Sequence, residues 1–333
     1  MPATMKDVAK EAGVALGTVS KVINNIPVSE EYKIKVEEAI KKLGYEVNIY
    51  ARGMKKQKTD TIALIIPNLF IPFFSHFAYY LECELSKHKY KLLLCNSDGN
   101  AEKEVRYINM AKQNKVDGIV GITYSDIDKD ISNNCKFVSI DRHFSNPDIP
   151  YVASDNYKGG MIATQKLIDI GCKNVAFIRT GSSVYGETYK RKIGFIDVCK
   201  ENNINYKVLD LVEPFENFEK TCSEFLEENI CNGKLLIDGI FFSTDMLALR
   251  VKKIIESYGF SIPNDVNIIG YDGIKIVPEL DYPVSSISQP VELMAKKCVE
   301  IIVALINKQT VPKINYLPVS FVDGGTTKWL KIN

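Results

Sequence analysis

The chain has 333 residues, 46% of them hydrophobic and 25% charged, a composition that excludes disorder and a collagen-like repeat and allows two or three cored domains. Its 42 Lys and Arg stand against 41 Asp and Glu, a net +1 that excludes a uniformly basic nucleic-acid binder. The start, MPATMKDVAKEAG, has no apolar stretch before a small-residue cleavage site, and no segment approaches the roughly 20 apolar residues of a membrane helix; the expected location is cytoplasmic.

Charge is unevenly spread. Residues 1–58 hold eleven Lys and Arg against seven Asp and Glu, or +4, which leaves 31 against 34, or −3, for the remainder. Within this basic head, Thr4-Met5-Lys6-Asp7 matches a capping box and opens a short helix carrying Val8, Ala9 and Ala12 up to Gly13. A second short helix follows, with Val19, Val22 and Ile23 on one face and Leu16, Gly17, Ser20, Lys21 and Asn24 on the other, free to enter a groove. Ser29 caps a third helix with Glu30 and Glu31 in its first turn, Val36, Ile40 and Leu43 on its buried side, and Gly44 at its stop. Two short helices around a Gly-containing turn, backed by a third, make a helix-turn-helix.

From Thr61 onward β-rich apolar runs alternate with helical patterns. The strands are expected at 62–66, 91–95, 118–122, 137–140, 175–178, 208–211, 240–243 and 267–271, and the helices at 74–88, 101–114, 157–170, 188–202, 215–229, 246–258 and 291–307. Such repetition predicts parallel sheets covered on both faces, and its length predicts two lobes with ligand between the C-terminal ends of their strands. The eight Cys are scattered without a Cys-x-x-Cys and read as reduced thiols, and His76, His88 and His143 have no metal-ligand neighbours at i+3 or i+4, so neither metal nor cofactor is expected. There is no Gly-x-Ser-x-Gly, no Walker-type loop and no His with matched partners, which argues against an enzyme.

The ordered set Thr4 to Ala9, Ala12-Gly13-Val14, Thr18 to Asn24, Val28-Ser29 and Leu43-Gly44-Tyr45 resembles the head of the lactose/galactose repressor family. The resemblance implies base-edge contacts at Leu16, Gly17 and Lys21 and phosphate contacts near Thr18, Ser20, Asn24 and Ser29, with Thr4 also on the DNA side. The chemistry suits this: a Lys can donate to guanine O6 and N7, a Leu meets a thymine methyl, and small hydroxyls bond phosphate oxygens. Two positions depart from the family. Gly17 has no side chain with which to read a base, and Ala15 replaces the usual Ser cap, whose loss costs about 1 kcal/mol. Residues 48–54 are similar to the family's hinge helix, with Asn48 and Ala51 on the DNA and Met54 as the apolar wedge in the minor groove. A plain linker is the alternative there, favoured by Gly53.

The body in turn looks like a periplasmic sugar-binding protein, through Pro67-Asn68, Pro72-Phe73-Phe74, Val116-Asp117-Gly118, Ser154-Asp155-Asn156, Asp245 to Ala248 and Gly270 to Ile274. The expected architecture is α/β: a helix-turn-helix head at 1–47, a hinge and linker at 48–60, and a body at 61–333 of two doubly wound parallel-sheet lobes. Lobe one takes about 62–160 plus 290–321, and lobe two about 161–289 plus 322–333. The implied effector site is Phe73, Phe74, Asp141, Arg142, Arg191, Thr244, Asp272 and Gln289, which supply apolar faces and bidentate partners for sugar hydroxyls. Phe73 and Phe74 fit a core role as well, and Asp155 and Asp245 read as caps of the helices that follow them. On spacing alone Asp141, Arg191 and Asp272 are surface charges; only the implied lobe arrangement makes them converge. Thr244 stands where the family usually has Asn.

The run from Val138 to Phe144 and that from Pro150 to Gly160 are most similar to the sucrose-operon repressors of that family. The implied function is a homodimer on pseudo-palindromic operator DNA, released when a neutral sugar closes the cleft. The alternative keeps operator binding but has a small-molecule or protein corepressor strengthen it. No apolar heptad tail follows Trp329, so a dimer is expected rather than a helix-tethered tetramer.

Overall fold

The computed structural model describes residues 3–45, 58–131, 135–146, 148–181, 186–212, 217–277 and 279–328. The expected hinge contacts Asn48, Ala51 and Met54, and the helix start at Phe215, lie outside the described residues. The chain divides into two compact units, Met1–Thr59 and Asp60–Asn333.

In the first unit, α1 (Met5–Ala12), α2 (Leu16–Ile23) and α3 (Glu30–Leu43) enclose a small core of Val8, Ala9, Val19, Val36 and Ala39. Thr4 and Asp7 form the reciprocal capping box, the Asp7 amide donating to the Thr4 hydroxyl at 3.3 Å and the Thr4 amide to the Asp7 carboxylate at 2.8 Å. Gly13 (φ 63°) and Gly44 (φ 57°) end α1 and α3 in the left-handed conformation that a helix stop requires. Neither α2 nor α3 has a side-chain cap: Ala15 lacks an acceptor, and Ser29 sits at the N-cap with extended backbone but its hydroxyl accepts no bond from the helix. Ser29 therefore begins α3 by backbone geometry alone, contrary to the role expected of it.

The second unit holds two six-stranded sheets. Their strands are β1 (Thr61–Ile66), β2 (Lys91–Asn96), β3 (Gly118–Gly121), β4 (Phe137–Ile140), β5 (Tyr151–Ser154), β6 (Asn174–Gly181), β7 (Asn205–Val212), a separate hairpin of β8 (Ile230–Cys231) and β9 (Lys234–Leu235), β10 (Gly239–Phe242), β11 (Asn267–Asp272), β12 (Ser286–Ser288), β13 (Ile314–Leu317) and β14 (Ser320–Val322). The first sheet runs β13-β5-β4-β3-β1-β2, all parallel. The second runs β14-β12-β11-β10-β6-β7, parallel except where β14 pairs antiparallel to β12.

Helices cover both faces of each sheet, which is why β1, β3, β4, β10 and β11 read as unbroken apolar runs rather than alternating ones. On the first sheet, α4 (Pro72–Lys87) and α10 (Val291–Ile306) share one core with Leu64 and Val120, while α5 (Ala101–Gln113) lies over the other face with Ile65 and Ile119. On the second, α8 (Phe218–Glu227) and α9 (Asp245–Ser257) pack against Ile178 and Ile240, and α6 (Asn156–Asp169) and α7 (Tyr189–Glu201) against Phe177 and Phe241. Helices α6 and α7 approach backbone to backbone: a Cβ at Gly160 would lie 2.2 Å from the Arg191 carbonyl oxygen, and one at Gly194 2.3 Å from that of Tyr157.

The lobe boundaries differ from those expected. Helix α6 packs on the second sheet from its first turn, so the chain crosses at residue 155 rather than 160. The last crossing falls between β13 and β14, before residue 321, because Ser320–Val322 joins the second sheet. Strands β5, β12, β13 and β14, of three or four residues each, were not among the expected strands.

Candidate functional site

On α2 the outward face carries the residues that sequence placed there. Lys21 and Gly17 are exposed, Leu16 is 43% exposed, and a Cβ at Gly17 would meet nothing within 4 Å. Thr18 and Ser20 are half-buried beside buried Val19. The Asn24 side-chain amide donates to the Ser20 carbonyl at 2.6 Å, locking the end of α2, and the Thr4 hydroxyl donates to Asp7 at 2.6 Å. A phosphate bound at Thr4 would thus compete with a side chain already bonded, whereas Lys21 has no hydrogen bond or ion pair among the described residues.

The strand ends of the second unit bring a different set together. Parallel strands point their C-terminal ends to one edge of a sheet, and there Asp141 follows β4, Thr244 follows β10 and Asp272 ends β11. Asp141 is buried with φ 52°, a conformation that Asp tolerates, and its amide donates to the Val152 carbonyl at 3.1 Å. Burial pushes its carboxyl up to about 6, against the opposing pull of Arg191.

Arg191, buried on α7, donates Nε to Asn156 Oδ1 at 2.7 Å and Nη1 to the Ser243 carbonyl at 2.5 Å, and its guanidinium lies 3.5 Å from the Tyr271 ring centroid. Tyr271 in turn shares the Ser154 hydroxyl, at 3.2 Å, with Gln289, whose Oε1 accepts from Ser154 at 2.7 Å while its Nε2 donates to Asp272 Oδ1 at 2.9 Å. This chain of bonds runs from β5 in one lobe to β11 in the other. Asp272 is raised well above the usual carboxylate range, first by burial and then by the neighbouring Asp245.

Four expected site residues lie differently. Arg142 is buried but turned into its own lobe, where it donates to the Ser125 carbonyl and, at 2.6 Å, to Asp128, and stacks 4.4 Å from the Phe144 ring centroid. Thr244 uses its hydroxyl to cap α9, accepting from the Leu247 amide at 3.2 Å. Phe73 and Phe74 meet edge-on at 5.5 Å in the core beside α10; Phe73 also lines the cleft, and Phe74 is a core residue.

Asp155 does cap α6, accepting from the Lys158 amide at 3.0 Å, but Asp245 is no cap. It is buried at the start of α9 with Oδ2 accepting from the Gly273 amide at 2.8 Å and Oδ1 from the Ser286 hydroxyl at 2.5 Å. Reading Asp245 as a cap was defeated by Thr244, one residue earlier and itself a good N-cap. Asn156, Tyr271 and Ser154 were also passed over; a tyrosine and a serine at strand ends carry no signal apart from the lobe arrangement that joins them.

Pro72, Phe73, Asp245, Met246, Leu249, Asp272, Ile274, Ile276 and Pro283 surround a cavity of about 20 Å3, room for one water molecule and not for a sugar ring. On another edge, Glu187 at the start of α7 reaches lobe one: its buried Oε1 lies 3.1 Å from His143 Nε2 and accepts from the Tyr316 hydroxyl at 3.0 Å, and Lys190 donates to it at 2.8 Å. Among the described residues no cluster of His, Cys, Asp and Glu has the arrangement of a metal site, and no helix is long and apolar enough to cross a membrane.

The sequence and the fold are similar to those of known proteins. The sequence model for bacterial regulatory proteins of the lacI family matches residues 4–48, and that for a periplasmic binding protein-like domain matches 164–327. A sucrose operon repressor from Streptococcus mutans is 36% identical over 327 residues, covering 97% of this chain and 99% of its own. A ribose operon repressor from Bacillus subtilis is 31% identical over 329 residues, 98% of this chain and 99% of its own. Among solved structures, a periplasmic binding protein/LacI transcriptional regulator from Alkaliphilus metalliredigens complexed with D-xylulofuranose superposes with TM-score 0.70 at 30% identity, covering 81% of this chain and 100% of that one. The lac repressor dimer bound to operator and an anti-inducer shares the fold at TM-score 0.83 and 21% identity, over 98% of this chain and 99% of that one.

Proposed function

The chain belongs to the lacI family of bacterial regulatory proteins, and from that membership we propose that it represses a sugar-utilisation operon and leaves its operator when a neutral sugar occupies the interlobe cleft. It is a sequence-specific DNA-binding transcriptional regulator and not an enzyme. The observation that carries the effector reading is the bonded network of Tyr271, Ser154, Gln289 and Asp272 between the lobes, with Arg191 stacked on Tyr271 and Asp141 buried nearby.

The expected mechanism has two states. A dimer in the cytoplasm places two recognition helices in successive major grooves of a pseudo-palindromic site, with Leu16 and Lys21 at base edges and Thr18, Ser20, Asn24 and Ser29 near phosphates. Sugar entry between the lobes is coupled in this mechanism to rotation of one lobe against the other. That event acts on the head with a coupling of about 1–3 kcal/mol, typical of such linked sites. Relatives that repress sucrose and ribose operons support release by sugar rather than a corepressor.

The test is operator release. An operator is selected from random duplex DNA with the full chain, and sucrose, D-ribose, D-xylulose and cellobiose are titrated into the complex. Release by at least one is expected; uniform tightening would overturn the sign, and no response would overturn the class of effector.

A further inference from the structure

A helix that ends on a backbone bond reaching back five positions holds the residue after its cap in the left-handed conformation, which glycine and asparagine adopt most readily. At five helix ends of this chain Gly13, Asn25, Gly44, Gly171 and Asn203 stand in that place, each followed by such a bond. The three helices that cover the first sheet differ. After α4, α5 and α10 the left-handed residue is Lys89 (φ 62°), Lys115 (φ 52°) and Lys308 (φ 59°). The same closing bonds follow, from Tyr90 to Leu85 at 3.0 Å, Val116 to Ala111 at 3.0 Å and Gln309 to Ala304 at 2.9 Å. A cation suits the negative end of a helix dipole, but in α4 and α5 Lys87 and Lys112 already supply one in the last turn. The five other ends have no cation in the left-handed position at all.

Topology collects these lysines. Where helices cross between parallel strands, each helix ends at the edge of the sheet where the next strand begins. At that edge of the first sheet Lys91 opens β2 and Lys136 precedes β4, three strand spacings or about 14 Å away. Lys89 and Lys308 flank this row from one face of the sheet and Lys115 from the other. All five are exposed, and Lys89, Lys91, Lys136 and Lys308 have no side-chain hydrogen bond or ion pair among the described residues. The acids at these strand starts are Asp60 and Asp117, and Asp117 accepts from the Thr61 amide at 3.2 Å. The matching edge of the second sheet is balanced, with Lys173 and Lys328 against Asp238 and Asp265.

The basic edge also receives the chain from the helix-turn-helix. Asp60, the first residue of the second unit, accepts from the Lys91 amide at 2.8 Å. Twelve residues separate Tyr45 from Lys58, and a chain of that length spans at most about 45 Å, so DNA held by the head meets this edge at high effective concentration. A duplex carries one phosphate per about 1.7 Å of its axis, and a basic row about 14 Å long matches several of them at once. We propose that this edge of lobe one is a second DNA-contacting surface, which takes backbone phosphates of the duplex held by the head without regard to sequence. It is independent of the effector and adds affinity, while selection of the site stays with the head.

The salt dependence of DNA binding by the full chain tests it, on the selected operator extended at both ends by random sequence. In Lys89→Gly/Lys115→Gly/Lys308→Gly the slope of log affinity against log salt should be shallower than that of wild type by about 2–3, at about 0.9 per phosphate contact. A deficit measured at about 50 mM salt then shrinks about fortyfold by about 200 mM, and it should be equal on the operator and on its single-pair variants. Glycine suits the left-handed backbone, so the Tm of this variant is expected at or above that of wild type. Lys91→Gln/Lys136→Gln, at positions with ordinary strand backbone, should lose about 2 from the slope by the same rule and decides the matter if the glycine variant does not fold.

Two controls separate contact from net charge. Lys89→Arg/Lys115→Arg/Lys308→Arg should keep the wild-type slope. So should Lys200→Gln/Lys207→Gln/Lys234→Gln, which removes three exposed charges from lobe two. A wild-type slope in the glutamine variant of lobe one or in a folded glycine variant overturns the proposal, as does an equal fall in the lobe-two variant.

Discussion

The outward face of α2, proposed to read DNA, and the interlobe network, proposed to hold the effector, hold their polar groups in opposite ways. Lys21 stands in water, free to exchange solvent for a base or phosphate, whereas Arg191, Asp141, Asp272 and Gln289 have already lost their water and depend on one another. An exposed group can be removed at little cost to the fold, so its loss is read in DNA affinity alone. A buried one leaves partners unpaired, and its loss is read first in stability.

The largest expected effect tests that contrast directly. Arg191→Ala strips the partner from Asn156 Oδ1 and the Ser243 carbonyl and removes a buried cation whose charge acts on Asp141, Asp245 and Asp272. Urea unfolding should show a loss of about 3–5 kcal/mol, the scale for orphaning buried charge. Lys21→Ala in the same assay should stay within about 0.5 kcal/mol of wild type. Comparable losses in the two variants would mean that burial does not separate the sites.

Next in size is Asp272→Ala. If Asp272 bonds the effector, its removal costs about 1.5–3 kcal/mol of sugar affinity, roughly ten- to a hundredfold, with operator affinity in the absence of sugar nearly unchanged. Equal calorimetric affinity of the two proteins would take Asp272 out of the site.

These two regions also differ in how far sequence reveals them. The head is built from local rules, a capping box at Thr4 and Asp7, a three-to-four spacing of Val19, Val22 and Ile23, and glycine stops, each visible within about ten residues. The alternating elements of the body were legible for the same reason, apart from its shortest strands. The cleft was legible only as far as the family resemblance extended, because its members meet through tertiary contacts. Asp141 and Asp272 stand at strand ends, and Gln289 was reached only through the resemblance. Arg142 did not stay with them, since its partner Asp128 lies in a loop whose path no periodicity predicts. Asp245 was hidden by competition: Thr244 and Asp245 are both good N-caps, and only the positions of Gly273 and Ser286 settle which one turns inward.

A smaller effect belongs to Lys21 itself. Because Gly17 offers no atoms to a base edge, direct reading by α2 falls on Leu16 and Lys21, and Lys21→Ala should lower discrimination at one base pair by about 1–3 kcal/mol. Competition binding against operators varied one pair at a time measures this. An unchanged ranking of the variants would assign Lys21 to phosphate, in which case the loss would be uniform and the salt dependence of binding would fall by about one contact.

The smallest prediction concerns what holds α2 when it is not on DNA. Ala15 already has the extended backbone of an N-cap, φ −66° and ψ 147°, and its carbonyl accepts from the Thr18 amide at 2.8 Å. Only the side-chain acceptor is lacking. Ala15→Ser supplies one without moving the backbone and should stabilise α2 by about 0.5–1 kcal/mol. In hydrogen exchange on the full chain this appears as a two- to fivefold slowing of the α2 amides, roughly the factor that such an energy gives, with amides of the cleft helices unchanged. If the α2 amides do not slow, the helix opens only when Val19 leaves the head core. Its stability would then reside in packing rather than in its first turn, and the exposed face of the head would prove as dependent on burial as the cleft is.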